Sequence, residues 1–246
     1  RECWNSFAWE SSRPNSSFDR EILSEFALQS LTQKVADFRE SAEAEKHGTW
    51  KTRPVAYAAN WLSQSLPADK LKDVFAYLRD FGEWAWGQHK CERDGNMGFL
   101  NFRALETEIF IHLGLASGDD IWLERAQAYL VQLLPQHYHS GAIPYHTGLW
   151  VWGRKPSTHY ALTVLESFAL ACHVLKMDGA KRIFLKAMDF YSTVTDHQGV
   201  PMTTSFESCA KGARNQVLRD QFRLLEYARR LGAQGNVPSM ARQGLN

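Results

Sequence analysis

The feature that most constrains this chain is a self-similarity recurring about every 60 residues, the mark of a repeat architecture. Residues 105–130 read LETEIFIHLGLASGDDIWLERAQAYL, and residues 165–191 read LESFALACHVLKMDGAKRIFLKAMDFY. Each opens on Leu-Glu, runs apolar, breaks at Gly-Asp-Asp or Asp-Gly, and restarts as an amphipathic helix ending in an aromatic residue. A glycine turn follows each, GAIPYHT from Gly141 and GVPMTTS from Gly199. Leu225-Glu226-Tyr227 starts a third unit, so Glu106, Glu166 and Glu226 are evenly spaced. The period exceeds the roughly 34 residues of tetratricopeptide repeats and the roughly 40–47 of HEAT repeats. It fits a pair of helices with a long loop.

This pattern predicts an all-α fold, an α/α toroid or open arc of helical hairpins, with residues 1–246 as a single domain. Residues 102–117 and 160–175 read as equivalent inner helices, with 120–134 and 180–194 as their outer partners. The 160–175 stretch is apolar almost all round, which requires burial on every side. Its partner gathers Lys181, Arg182, Lys186 and Asp189 on one face. No alternating strand pattern runs beyond a few residues.

Before the repeat, residues 1–18 read as irregular, with Pro14 and several Ser and Asn. Asp19 is placed to cap a helix reaching about Glu45, with Ile22, Leu23, Phe26, Leu31, Val35 and Phe38 as its apolar face. Pro54 reads as the opening of a second helix to about Leu66. Asp69 reads as the cap of a third, to about Gln88.

Apart from this patterning, composition excludes more than it selects. A net charge of +1 argues against a dedicated nucleic-acid binder. No apolar run is long enough for a membrane span. Cys3, Cys91, Cys172 and Cys209 form no CxxC pair, so neither zinc knuckle nor redox motif is expected. One disulfide is compatible with them, and Cys172, in an apolar run, reads as a buried thiol. The chain starts at Arg1, consistent with a mature secreted or periplasmic protein or with a trimmed one.

The segment with most chemistry is 137–160, HYHSGAIPYHTGLWVWGRKPSTHY. It carries His139, His146 and His159, aromatics at Tyr145, Trp150, Trp152 and Tyr160, and cations at Arg154 and Lys155, without an acid. Aromatic faces stack on sugar rings, Arg pairs with carboxylates, and His or Tyr moves protons. An anionic sugar site needs this set, and an ordered surface loop packed on helix ends is the plainer reading. His137, His139 and His146 match no metal signature, so no metal or other cofactor is expected. His159 and Tyr160 open the buried helix, where unpaired N–H groups favour an anion. Glu166 lies about two turns further along. It reads either as a substrate contact or as the partner of an Arg such as Arg214 or Arg219.

His159-Tyr160 before a buried helix, then DHQGVP, then an Arg-rich helix start, resembles the α/α-toroid polysaccharide lyases of the alginate lyase and heparinase II/III kind. Uronate epimerases and some glycoside hydrolases share that toroid. The resemblance covers roughly residues 140–231. It implies an enzyme that cleaves an acidic, uronate-containing polysaccharide by β-elimination. His159, Tyr160 and Arg214 would be its catalytic residues, and His139, Tyr145, His146, Trp150, Trp152, Arg154 and Glu166 its substrate contacts. Thr158 stands where those lyases have Asn, and Asp220 stands near where they have Tyr. The helices are too few for a closed ring, which leaves an open arc or a fragment of a larger protein. Hydrolase, epimerase and non-catalytic glycan- or protein-binding scaffold remain the alternatives.

Overall fold

The computed structural model describes residues 4–40, 48–89, 100–144, 158–194 and 222–239. These residues are all-helical, with no strand among them. In chain order the helices are α1 (Trp4–Ser12), α2 (Arg20–Glu40), α3 (Thr49–Leu62), α4 (Lys72–His89), α5 (Leu100–Ser117), α6 (Asp120–Leu133), α7 (Thr158–Val174), α8 (Asp178–Thr193) and α9 (Phe222–Arg230). Among the described residues, no helix is long and apolar enough to cross a membrane. The chain divides into two compact units. One unit is Arg1–Cys91 with Leu105–Ala126, and the other is Glu92–Ala104 with Gln127–Asn246.

In the first unit α1 packs on α2 and α3, and α4 packs on both α2 and α3. The expected irregular segment 1–18 is partly wrong, because Trp4–Ser12 is a helix. Trp4, Ala8 and Ser11 fall one helical turn apart and are buried. The Ser11 hydroxyl turns back to Ala8 O at 2.8 Å, so a residue disfavoured inside helices is satisfied within its own turn. Burial by α2 and α3 therefore outweighs a serine-rich composition.

Asp19 caps α2 as expected. Its Oδ1 accepts the backbone N–H groups of Glu21 at 3.0 Å and Ile22 at 3.2 Å. The buried stripe of α2 is Ser24, Ala27, Leu31, Val35 and Phe38, which keeps the expected Leu31, Val35 and Phe38 but not Ile22, Leu23 and Phe26. Ile22 is 68% exposed and Phe26 52%. Phe26 instead meets the edge of Phe7. Pro54 does not open α3, which starts at Thr49 behind the extended Gly48 and ends at Leu62. The lost N–H at Pro54 weakens the first turns. Val55, Ala56, Ala58, Ala59 and Leu62 on the same helix are completely buried and offset that loss.

The four helices expected over the repeat segments are present. Residues 102–117 and 120–134 fall on α5 and α6, and 160–175 and 180–194 on α7 and α8. Gly82 of α4 lets the Trp122 indole sit against the backbone, where a Cβ would run into the ring.

In the second unit α7 packs along α8, and α9 packs on both. Its core joins Leu130, Leu133, Ile143, Leu165, Phe168, Phe184, Tyr191, Leu225 and Val237. As expected, α7 is buried over most of its surface, including Thr163 and Ser167. Lys181, Arg182 and Asp189 of α8 are exposed, with Lys186 half-buried.

Candidate functional site

Of the residues expected to carry chemistry, Tyr145, His146, Trp150, Trp152, Arg154 and Arg214 lie outside the described residues, as do Cys3, Cys91 and Cys209. His159 and Tyr160 are in the first turn of α7, with side chains outside the described residues. His139 is exposed in the turn after α6. Glu166 is half-buried on α7. Glu226 is held by two neighbours on its own helix, Arg229 Nε at 2.6 Å and Arg230 Nε at 2.7 Å. Those two guanidinium groups hold its carboxyl down at about 2. The three evenly spaced glutamates thus occupy different environments, with Glu106 buried on α5. Cys172 is a free, half-buried thiol pushed up to about 11, chiefly by burial.

The described start of the histidine-rich loop is fastened to α8. Gly141 takes φ +98°, and a Cβ there would lie 2.6 Å from Lys186 O. Tyr138 N–H donates to Ala142 O at 2.8 Å, closing the turn. Ile143 N–H donates to the buried Tyr191 hydroxyl at 3.0 Å. His137 Nδ1 lies 2.8 Å from Leu134 O.

The densest polar cluster among the described residues stands in the first unit. Arg53, Tyr57 and Asn60 recur at i, i+4 and i+7 on α3, so they share one face. Glu108 and His112 do the same on α5. Arg53 Nε donates to Glu108 Oε2 at 2.7 Å and to the Tyr57 hydroxyl at 3.0 Å. Tyr57 donates its own proton to Glu108 Oε2 in a short bond. Asn60 Nδ2 lies 3.0 Å from His112 Nδ1, and the His112 ring stands edge-on to Tyr57 at 4.3 Å between centroids. Trp61 extends the aromatic surface, 5.9 Å from Tyr57.

No family model and no curated protein sequence matches this chain. What the cluster can do must be read from its own chemistry. The Glu108 side chain is 1% exposed and that of Arg53 19%, so the carboxylate is inside and the cation at the edge. Burial is the main force pushing His112 down to about 3, with the Arg53 charge adding to it. The imidazole is therefore neutral near neutral pH. An amide nitrogen can only donate, so Nδ1 accepts from Asn60 and the ring proton sits on Nε2. Cation, phenol, carboxylate and neutral imidazole thus adjoin one another, the set from which proton transfer is assembled.

A second guanidinium in this unit is fully engaged. Arg125 forms a two-pronged pair with Glu83 at 2.8 and 3.1 Å and lies over the Trp122 and Trp86 rings. Its role is to tie α6 to α4. Among the described residues no group of three His, Cys, Asp or Glu could hold a metal ion.

The sequence reading passed over the Arg53–Glu108 cluster. A signal was available: Glu108 and His112 stand four apart, on either side of the apolar Ile109, Phe110 and Ile111. Two polar groups on one face of a buried helix demand partners.

Proposed function

We propose that this chain is a carbohydrate-active enzyme that cleaves acidic, uronate-containing polysaccharides by β-elimination, its hairpins arranged as an α/α toroid or open arc. The observation that supports it is the Tyr57 hydroxyl held between the Arg53 guanidinium and the Glu108 carboxylate. Glu108 takes the phenolic proton, and Arg53 stabilises the phenolate that remains. The phenolate removes the proton on the carbon next to the uronate carboxylate. The electron pair forms a carbon–carbon double bond as the neighbouring glycosidic C–O bond breaks. The departing oxygen takes a proton from an acid or from water, and Trp61 offers a face for the sugar ring.

His159, Tyr160 and Arg214, with contacts from His139, Tyr145, His146, Trp150, Trp152, Arg154 and Glu166, form a competing catalytic set for the same chemistry. They belong to the other compact unit, so the two sets are separable by mutation. The burial of Glu108 and His112 favours a second reading, a non-catalytic helical scaffold that binds a glycan or protein, in which the cluster only joins α3 to α5. A hydrolase reading has no comparable support, since it needs two opposed carboxylates; an epimerase would share the proton abstraction, return the proton to the opposite face and release no unsaturated product.

The test is a panel of uronate polysaccharides followed by ultraviolet absorbance of the unsaturated product. Wild type should release it from at least one substrate. Binding without product would favour the scaffold, and neither binding nor product would end the carbohydrate reading.

A further inference from the structure

A cleft of about 540 Å³ opens in the first unit between the start of α2 and the turn that follows α3. Arg20, Glu21, Ser24 and Glu25 line one wall, and Gln64, Ser65, Leu66, Pro67 and Lys70 the other. We propose that this cleft is a subsite for an uncharged, hydroxyl-rich sugar unit of the same polysaccharide chain. The inference rests on the lyase reading above.

The chemistry of the walls chooses the ligand class. The lining holds two cations and two carboxylates; Lys70 is paired with Glu25 across the cleft, and Arg20 Nε donates to Ser11 O at 2.8 Å. The cleft therefore carries no net charge and offers no excess field to a phosphate, a uronate or a metal ion. It offers hydroxyl and amide donors and acceptors instead. Within the lining the Ser24 and Ser65 hydroxyls lie 2.9 Å apart, Ser24 buried and Ser65 exposed. Gln64 adds an amide, and Leu66 with Pro67 adds a small apolar ledge. A sugar ring presents hydroxyls around its rim and C–H groups on its face, and this lining complements both. The volume lies within the roughly 300–1,000 Å³ of small-molecule sites.

Position argues for a polymer. Arg53, Tyr57, Asn60 and Gln64 follow one another at three- and four-residue steps along α3 and the turn after it. Helical winding continues past Leu62, since Ser63 N–H bonds Ala59 O and Leu66 N–H bonds Leu62 O. At about 1.5 Å per residue, Gln64 lies about 10 Å along the axis from Tyr57. One polar stripe thus runs from the proton-handling cluster into the cleft, as an extended chain requires.

The full chain decides this by calorimetric titration with acidic oligosaccharides of increasing length, some all-uronate and some alternating uronate with neutral sugar. Gln64→Ala and Ser65→Ala should each weaken the longer alternating oligosaccharides about tenfold, the weight of one good hydrogen bond. Disaccharides and all-uronate chains should bind as they do to wild type. Lys70→Gln, on the exposed rim, gives the same comparison without touching the serine pair. If wild type binds graded lengths but the variants lose nothing, or lose equally at every length, the subsite is wrong and the lyase reading stands. If wild type binds none of these glycans, both fall together.

Discussion

Asn60 Nδ2 meets His112 Nδ1 at 3.0 Å, across the junction of α3 and α5. The contact defines the charge of the ring, because a protonated imidazole would have to present N–H to an amide N–H. Burial acts in the same direction and pushes His112 down to about 3 from an ordinary 6.5. The unfolded chain thus binds a proton between pH 6.5 and 3 that the folded chain refuses. Stability should rise with pH across that window and be lost as pH falls through it. The upper limit is on the order of 5 kcal/mol, since each pKa unit is worth about 1.4 kcal/mol. Denaturant midpoints measured from pH 7 to pH 3 should fall steeply in wild type. His112→Gln should flatten that dependence, and an unchanged slope would show that His112 does not carry it.

The Arg53–Glu108 pair gives a second expectation. Truncating Arg53 to Ala leaves a buried carboxylate without its cation, which costs about 3–5 kcal/mol in comparable buried pairs. Arg53 is partly exposed, so the lower end applies. Removing Glu108 as well should recover part of the loss, and a double-mutant cycle on thermal unfolding measures how much. Strictly additive losses would mean that the two side chains do not stabilise one another.

A third concerns the turn that begins the histidine-rich loop. Gly141 combines φ +98° with backbone of α8 where a Cβ would stand. Gly141→Ala should destabilise the second unit by about 1–3 kcal/mol from conformation and overpacking together. Tyr191→Phe, which removes the hydroxyl that receives Ile143 N–H, should cost about 1–2 kcal/mol. Chemical denaturation of both variants checks this. A neutral Gly141→Ala would mean that the turn relaxes freely away from Lys186.

The helical class and the positions of α5 to α8 were legible because both signals are local and periodic. The breaks at Gly118-Asp119 and Asp178-Gly179 fall at the ends of α5 and the start of α8. The first helix was hidden because its serines satisfy themselves on Ala8 and Trp9 carbonyls only once packing has made the turn. Pro54 misled because it sits inside α3, held there by the completely buried Val55, Ala58 and Ala59 around it. The stripe of α2 was misassigned because Ile22 and Phe26 are as apolar as Leu31 and Val35, and only tertiary contact separates the two faces. The polar cluster escaped for a different reason. Arg53 and Glu108 are 55 residues apart, and no periodicity within one helix announces a partner on another.

The last prediction separates the two catalytic proposals. Tyr57→Phe removes the hydroxyl that Glu108 and Arg53 hold while keeping the ring against His112 and Trp61. The fold should survive with about 1–2 kcal/mol lost, the cost of the hydrogen bonds. If Tyr57 is the base, turnover on the cleaved uronate should drop about a hundredfold or more, the ordinary scale for a proton-transfer group. KM should change little, because the hydroxyl acts on the proton and not on substrate affinity. His159→Ala tests the rival set in the same assay, and a residue in the first turn of α7 should tolerate the change without global unfolding. A large fall in kcat for His159→Ala with full turnover in Tyr57→Phe would move the chemistry to the second unit and leave the Arg53–Glu108 cluster as a structural tie. The opposite outcome would place it on α3 and α5. Full turnover in both variants would remove both proposals, since neither proton-transfer group would then be needed.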